Sequence, residues 1–238
     1  MAPKKEIVLI GDSRIKSVTV KENGEPLVDL LKEFPALKFD LERDHVQKQS
    51  RFISLARRRV GEMLVEAQGS LPKGYKLLIK ECHRPMWVQK GFWEGYSEYL
   101  RKKFPDWSES EVYNECSKLN APLEVAPHTT GGAVDLTLTT DAGDLVDMGT
   151  PFNASPLETD MATYTDATSI TDEAKKNRQI LVTALVKVGF VNYPTEWWHW
   201  SYGDKYWAFM KNEPAAIYES REVEEVRLSE CELHPSGK

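Results

Sequence analysis

Apolar positions along the chain follow two spacings, one typical of helices and one typical of strands. Recurrence at helical spacing predicts helices at 50–68, 86–103, 108–119 and 172–188. Short runs rich in β-branched, leucine and aromatic residues predict strands at 75–82, 134–139, 190–193 and 197–202, with 206–209 as a further candidate. The two patterns together predict an α+β fold in which helices flank a small antiparallel sheet.

The remaining segments show no internal repeat and no linker, so we expect one domain over residues 1–238. Residues 1–49 are mixed and charged, which predicts short strands and loops. Residues 151–171 predict a long loop, interpreted as a substrate lid because long loops in compact domains are usually functional or mobile. The charged tail at 212–238 lies beyond the chemistry-bearing motifs at 75–203, and its last residues are expected to be disordered.

A glycine-containing motif at 127–135 places His128 before Asp135. In an extended strand these two side chains would lie roughly 23 Å apart on opposite faces. A shared site therefore requires the chain to bend between them. Gly131 and Gly132 supply that bend, because glycine takes a positive φ without steric cost.

A second motif, Glu196-Trp197-Trp198-His199, follows about seventy residues later. Its aromatic surroundings favour a strand, in which Glu196 and His199 would point to opposite faces. We therefore expect a turn or bulge near Glu196. This arrangement would let His199 bind a metal while Glu196 takes a proton from a water molecule.

Together the motifs hold the groups that a hydrolytic zinc site needs: three N/O ligands and a base beside them. Each residue alone also has a structural interpretation. His128 fits a turn histidine, Asp135 a capping residue and His199 a packed core imidazole. The conjunction favours the metal site, because the chain has only five histidines and two of them lie in motifs that also contain acids.

The motifs resemble those of the VanX-type D-alanyl-D-alanine dipeptidases, zinc peptidases related to the D,D-carboxypeptidases of peptidoglycan metabolism. The family's Ser-x-His-x-x-Gly-x-Ala-x-Asp and Glu-x-Trp-His patterns are matched at His128, Gly131, Ala133, Asp135, Glu196, Trp198 and His199. Further matches are Arg84-Pro85, the Met-Gly-x-x-Phe segment at 148–152, and Asn177-Arg178.

The resemblance implies a fold like that of the hedgehog and D,D-peptidase proteins, with one Zn²⁺ per chain held at the sheet by His128, Asp135 and His199. It implies that Glu196 is the base that activates water and that Arg84 stabilises the oxyanion, a role suited to a permanently charged guanidinium. Taken alone, Arg84 would more often form a surface ion pair.

The resemblance also suggests Thr130, Asn153 and Trp198 as substrate-binding residues. Three positions depart from the family pattern: Ala126 replaces a serine, His83 a tyrosine and Asn153 an acid that would hold the ammonium of a dipeptide. An amide is a weaker partner for an ammonium than a carboxylate. Either Glu158 or Asp160 takes that task, or the substrate is not a free dipeptide.

The expected function is zinc-dependent hydrolysis of a small D-amino-acid peptide, D-Ala-D-Ala, to D-alanine. The alternatives are a D,D- or L,D-carboxypeptidase acting on a longer peptidoglycan peptide, and a non-catalytic zinc-stabilised binding module like the hedgehog signalling domain. Glu196 and Arg84 favour catalysis, because a structural metal site needs neither. Cobalt, nickel and iron are alternative metals for two imidazoles and one carboxylate.

The composition of the chain narrows the classes of partner that the protein is expected to bind. The chain has 238 residues, 41% hydrophobic residues and a formal net charge of -6, so it lacks the basic footprint of a nucleic-acid-binding protein. Cys82, Cys116 and Cys231 are widely spaced and predict reduced thiols, with Cys82 a packed thiol. No signal-peptide core or membrane span is evident, which leads us to expect a cytoplasmic protein without membrane partners.

Overall fold

The computed structural model describes residues 6–41 and 52–223. Its helices are α1 Ser13–Lys16, α2 Leu30–Glu33, α3 Arg58–Ser70, α4 Met86–Lys103, α5 Glu109–Cys116, α6 Asp172–Val188 and α7 Lys205–Lys211. Its strands are β1 Leu27–Asp29, β2 Lys38–Phe39, β3 Leu55–Arg57, β4 Tyr75–Glu81, β5 Ala133–Thr140, β6 Val191–Asn192 and β7 His199–Ser201. Two 3₁₀ turns cover Leu123–Val125 and His128–Thr130.

The main sheet has the strand order β2-β4-β5-β7-β6. All neighbours in it are antiparallel except β2 and β4, which run parallel. Helix α3 lies between β2 and β4 in the chain, as a parallel connection requires. Strands β1 and β3 form a separate antiparallel pair. The predicted α+β class, a small and mostly antiparallel sheet with helices, is confirmed.

The two faces of strand β5 differ: one packs in the hydrophobic core and the other carries polar side chains. Val134, Leu136 and Leu138 belong to the main hydrophobic core, which also contains buried residues of α3, α6 and β4. Because successive side chains of a strand point to opposite faces, Asp135 and Thr137 lie on the other face. The core therefore fixes which face of β5 carries Asp135.

A β-bulge in β4 changes the direction of its last residue. Ile79 pairs with Leu136, but Glu81 pairs with Asp135, so two residues of β4 advance against one of β5. A bulge of this kind re-aims the side chains that follow it. Without it, Glu81 would share the core face with Ile79; with it, Glu81 lies across from Asp135.

Three predicted helices are confirmed at 86–103, 108–119 and 172–188, the first and last with matching ends. Ser108 forms a capping box with Glu111. Helix α6 begins after Thr171, whose side chain accepts a hydrogen bond from the backbone N–H of Ala174, and ends at Gly189 with φ +107°. These ends follow the usual capping chemistry.

The predicted helix at 50–68 was wrong at its start. Residues 50 and 51 lie outside the described residues, and 55–57 form β3, which pairs with β1. The helix begins only at Arg58, because pairing with β1 outweighs the helical spacing of the apolar residues. Arg57, the last residue of this strand, is fully buried.

Residues 206–209, a candidate strand, instead belong to α7. Asp204 caps this helix by accepting a hydrogen bond from the backbone N–H of Trp207.

The residues of the tail from 224 onward, including Cys231, lie outside the described part of the chain. Cys82 and Cys116 are free and buried, in agreement with the prediction of reduced thiols. In the described segments, no helix combines the length and apolarity needed to cross a bilayer.

Arg57 connects three distant parts of the chain. Its guanidinium donates to the carboxylate of Glu22 at 2.7 Å, to the carbonyl of Thr130 at 2.8 Å and to the carbonyl of Glu219 at 3.0 Å. Although burial by itself raises the pKa of Glu22, the guanidinium of Arg57 and backbone N–H groups lower it to about 2. Arg57 thus ties the N-terminal segment and residue 219 to the loop that carries His128.

We expect Arg57→Met to lower the free energy of unfolding by about 3–5 kcal/mol, because it leaves the partners of a buried charge unsatisfied. Urea denaturation measures the change. The matched control is Arg58→Met, since Arg58 is 48% exposed in its side chain and pairs with Glu33 at the surface. That control should change stability by less than about 1 kcal/mol. Equal effects of the two substitutions would contradict this role of Arg57.

Candidate metal centre and active site

A tight turn before β5 positions His128. Residues His128–Thr130 form a 3₁₀ turn, and Gly131 follows with φ +72°. At Gly132 a Cβ would lie 2.3 Å from the carbonyl oxygen of Tyr202, so only glycine fits there. The bend predicted at Gly131-Gly132 is therefore present, and it brings His128 back over the polar face of the sheet.

Strand pairing positions the other two candidate ligands. Asp135 of β5 and His199 of β7 are direct partners in the antiparallel register. Directly opposed side chains lie on the same face of a sheet and within contact distance. The backbone N–H of His199 donates to the carbonyl of Glu196 at 3.2 Å, which forms the turn expected before β7.

The three ligand atoms converge on one point. His128 Nε2 lies 3.1 Å from His199 Nδ1 and 3.3 Å from Asp135 Oδ1, and His199 Nδ1 lies 2.9 Å from Asp135 Oδ1. Ligands of a tetrahedral Zn²⁺ at its usual bond lengths are roughly 3.3–3.6 Å apart. Among the described residues, these three form the group able to hold a metal ion. The spacing fits zinc after only a small outward movement.

Backbone contacts prepare His128 for metal binding. Its Nδ1–H donates to the carbonyl of Cys82 at 2.6 Å, which leaves Nε2 with a free lone pair towards the centre. The backbone N–H of Arg84 donates to the carbonyl of His128 at 3.2 Å. The chain that leaves β4 thus fixes both the ring orientation and the position of this residue.

Burial and the charges of neighbouring groups shift the pKa values of all three candidate ligands. Burial by itself raises the pKa of Asp135, but the two imidazoles hold it well below its usual range. Burial by itself lowers the pKa of His128, yet Asp135 raises it above the ordinary value, whereas burial keeps the pKa of His199 low. The carboxylate is therefore charged while His199 favours the neutral form that binds metals.

Glu196 lies beside this centre and shares its cavity. Burial and the nearby carboxylate of Asp135 raise the pKa of Glu196 well above its usual range, while Arg84 opposes the rise. A carboxyl group in such an environment holds a proton more firmly than an ordinary carboxyl group does. This is the property required of a general base that later acts as a general acid.

Arg84 is buried and oriented by two neighbours. Its Nε and Nη2 donate to the carboxylate of Glu81 at 3.0 Å and 2.6 Å, and its Nη1 donates to Gln89 at 2.9 Å. Burial by itself lowers the pKa of Arg84, but Glu81 raises it above the ordinary value. A guanidinium has five N–H donors, so two remain available for a ligand. The surface ion pair considered for Arg84 is not what the structure shows.

A cavity of about 470 Å³ joins the metal ligands, Glu196 and Arg84. Of the three residues suggested for substrate binding, Asn153 and Trp198 line this cavity. Thr130 is not among the described lining residues. Its hydroxyl donates to the carbonyl of Pro127 at 2.7 Å and accepts from the N–H of Gly132 at 3.0 Å, so it shapes the turn after His128.

Neither alternative anchor for a substrate ammonium lies in the described cavity lining. Glu158 accepts a hydrogen bond from the hydroxyl of Tyr99 at 2.9 Å and is 58% exposed in its side chain. Asp160 takes a positive φ of 48° in the same loop. Trp87, near the start of α4, is 62% exposed and is also absent from that lining.

The loop at 151–171 contains no helix or strand, as predicted, but its second half is firmly held. The guanidinium of Arg178 donates to the carbonyls of Met148 at 2.7 Å, Tyr164 at 2.6 Å and Ala162 at 2.9 Å. The backbone N–H of Trp197 donates to the carbonyl of Thr163 at 3.1 Å. These bonds do not support movement of the whole loop as a lid.

Sequence reasoning missed Glu81 and Gln89 as supports of Arg84. Glu81 stands three positions before Arg84, and an acid at that spacing was a usable signal. Its direction depends on the bulge in β4, which has no signal of its own in the chain. His83, the departure beside Arg84, is fully buried; its Nε2–H donates to the carbonyl of Arg221, and its Nδ1 has no hydrogen-bond partner among the described residues.

The sequence of residues 41–217 matches the peptidase M15 family, described as D-ala-D-ala dipeptidase. The chain belongs to this family. Its members are zinc enzymes, and the fit of His128, Asp135 and His199 to a metal agrees with that. The chain is thus a zinc metallopeptidase by family, as the resemblance implied.

Individual relatives agree with the family assignment. The D-alanyl-D-alanine dipeptidase of Synechocystis sp. is 26% identical over 222 residues, which cover 83% of this chain and 90% of that protein. The D-alanyl-D-alanine dipeptidase of Enterococcus faecium is 28% identical over 153 residues, covering 61% of this chain and 72% of that protein. A solved structure of the LdcB LD-carboxypeptidase aligns with 84% of this chain and 82% of its own at 15% identity and a TM-score of 0.43.

We expect the purified chain to bind one Zn²⁺, and His199→Ala to weaken that binding by more than about a hundredfold, since a lost ligand costs more than a lost outer contact. Competition with a chromogenic chelator measures the affinity. The matched control is His83→Gln, which removes a buried histidine that is not part of the ligand group. Zinc binding that survives His199→Ala undiminished would refute the assignment.

Burial lowers the pKa of His83 to about 4, and this predicts a pH dependence of stability. Between pH 6.5 and 4 the unfolded chain binds a proton at His83 that the folded chain does not, so folding weakens as the pH falls. From pH 7 to pH 5 this residue should cost about 2 kcal/mol. Urea denaturation at pH 7 and pH 5 should therefore show that His83→Gln loses about 2 kcal/mol less of its free energy of unfolding than the unaltered protein does. Equal losses in the two proteins would contradict this role of His83.

Proposed function

We propose that this protein hydrolyses D-alanyl-D-alanine to D-alanine with a bound zinc ion. One observation carries the proposal: the candidate ligands His128, Asp135 and His199 share a single cavity with Glu196 and the pre-oriented guanidinium of Arg84. A structural metal site requires neither of the last two groups. Family membership and the names of the relatives support the same reaction and substrate.

His128, Asp135 and His199 would hold the ion. When bound there, zinc supplies a Lewis acid that polarises a carbonyl and lowers the pKa of water. Glu196 takes a proton from the attacking water and delivers it to the nitrogen of the leaving D-alanine. The raised pKa of Glu196 suits this transfer, because a carboxylate whose pKa is raised is a stronger base towards the attacking water.

Arg84 acts on the charge that develops on the carbonyl oxygen. Glu81 and Gln89 occupy three of its N–H donors, so the plane of the guanidinium is set before substrate arrives. A pre-oriented donor avoids reorganisation during the reaction and therefore stabilises the transition state more than the ground state. Phe92 lies against the guanidinium, with its ring centroid 4.9 Å away, and helps to exclude water.

The proposal places the enzyme in peptidoglycan metabolism, because D-Ala-D-Ala is a building block of the cell wall. A free dipeptide of this kind is met in the cytoplasm, which is therefore the proposed location. We further propose that residues 1–238 act as one zinc peptidase domain, with Asn153 and Trp198 contacting the substrate from the cavity wall.

We expect Glu196→Gln to retain zinc and lower kcat by at least about a hundredfold, the usual contribution of a general base. D-alanine release from D-Ala-D-Ala measures the activity, and metal analysis of the same sample measures zinc. Glu213→Gln is the control, because Glu213 is an exposed glutamate. A zinc-loaded Glu196→Gln enzyme with normal kcat would exclude the proposed base.

A further inference from the structure

Two consecutive turns connect β6 to β7, and Glu196 belongs to both. In the first turn, the backbone N–H of Glu196 donates to the carbonyl of Tyr193 at 2.9 Å. In the second turn, the backbone N–H of His199 donates to the carbonyl of Glu196 at 3.2 Å. The proposed base and a candidate zinc ligand are therefore the first and last residues of one four-residue turn.

The side chain of Asn192, the last residue of β6, joins the two ends of this second turn. Its amide nitrogen donates to the carbonyl of Glu196 at 3.1 Å and to the carbonyl of His199 at 3.0 Å. An amide NH₂ group has two N–H donors, so both are used here. Because a carbonyl can only accept, the nitrogen and not the oxygen of the amide must face these two groups. One planar group thus links the backbone of the base to the backbone of the ligand.

The loop at 151–171 holds the same amide from its other side. The hydroxyl of Thr165 donates to Asn192 Oδ1 at 2.5 Å. The backbone N–H of Thr165 donates to the carbonyl of Pro194 at 3.0 Å, which fixes the loop against the first turn. With its oxygen and both N–H groups engaged, the amide of Asn192 is held in one orientation.

The hairpin itself does not depend on Asn192. The carbonyl of His199 also accepts from the backbone N–H of Tyr193 at 3.0 Å, and the carbonyl of Glu196 accepts from that of His199. His199 is fixed further by its register with Asp135 of β5. Loss of the amide would therefore leave both carbonyls with a partner and the zinc ligand in its strand. Glu196, which lies between two turns and outside the strands, would lose a restraint.

The carboxylate of Glu196 has little else to position it. Burial and the charges of its neighbours act on this group, and they shift its pKa without a hydrogen bond from a described residue. Charge interactions vary slowly with distance and have little directional preference, so they orient a side chain less well than a hydrogen bond does. The position of the base is therefore set mainly by the backbone at residue 196.

We propose that Asn192 is a positioning residue for the hydrolysis: its amide holds the backbone of Glu196 at a fixed distance from that of His199, so that the base stays within reach of the water it activates. This inference rests on the proposed function. Asn192 lies outside the described cavity lining and acts through Glu196. A displacement of about 1 Å at a reacting group can lower a rate by about a hundredfold, so a small loss of restraint is measurable.

The first test is Asn192→Leu, which keeps a similar size and removes the amide. We expect kcat for D-Ala-D-Ala to fall by about tenfold or more, while KM changes by less than about twofold and zinc affinity by less than about threefold, because only the base is displaced. D-alanine release measures kcat and KM, and competition with a chromogenic chelator measures zinc affinity. An unchanged kcat, or a zinc affinity that falls as far as kcat, would overturn the inference.

Two further variants exclude effects of folding and size. Asn114→Leu is the matched control, because Asn114 is an exposed asparagine of α5, and it should leave kcat and zinc affinity unchanged. Asn192→Asp keeps the size and the acceptor for Thr165 but places an oxygen against both carbonyls. It should lower kcat at least as far as Asn192→Leu does, and a normal kcat in this variant would also overturn the inference.

A double-mutant cycle shows whether Asn192 acts through the base. In the Glu196→Gln background, Asn192→Leu should lower kcat by less than about threefold, because the effects of residues that act as a unit are not additive. A purely structural contact would cost the same factor in both backgrounds, and that result would overturn the inference. Absence of D-alanine release by the unaltered zinc-loaded protein would instead overturn the proposed function.

Discussion

Asp135 and His199 face each other across two paired strands, and the rest of the site depends on that register. A shift by one residue would turn Asp135 into the hydrophobic core and bring Val134 to the polar face, because side chains alternate along a strand. The core prevents such a shift, since Val134, Leu136 and Leu138 are fully buried in it. The packing of apolar residues on one side of β5 thus determines the position of a charged group on the other.

The third ligand and the arginine are attached to this pair by the backbone. His128 donates to the carbonyl of Cys82 and its own carbonyl accepts from Arg84, so the turn before β5 and the chain after β4 position each other. Arg57 also stabilises this turn, because its guanidinium donates a hydrogen bond to the carbonyl of Thr130. A buried arginine outside the described cavity lining therefore supports the geometry of the candidate metal ligands.

The chemistry of the site was easier to predict than its geometry. His128, Asp135 and His199 could be proposed as ligands because few side chains bind zinc and the chain has few histidines, and the structure brings the three together. The ends of α6 were predictable because Thr171 and Gly189 act locally. The strand at 55–57 was not, because it exists only through its pairing with β1, far away in sequence. Glu81 was missed for a similar reason, since the bulge that turns it towards Arg84 is a property of two strands together.

Arg178 binds two carbonyls of the long loop, those of Ala162 and Tyr164, and these bonds divide the loop into parts with different tolerance for change. Residues 162–164 are held both by Arg178 and by the backbone of Trp197, which directly follows Glu196. An insertion there would shift the segment that holds Trp197 beside the proposed base, whereas an insertion at 154–161 would alter the segment whose Ser155 and Glu158 contact Tyr96 and Tyr99 of α4. Natural or engineered length variation confined to 154–161 should therefore change the surface beside the cavity without changing the chemistry performed inside it.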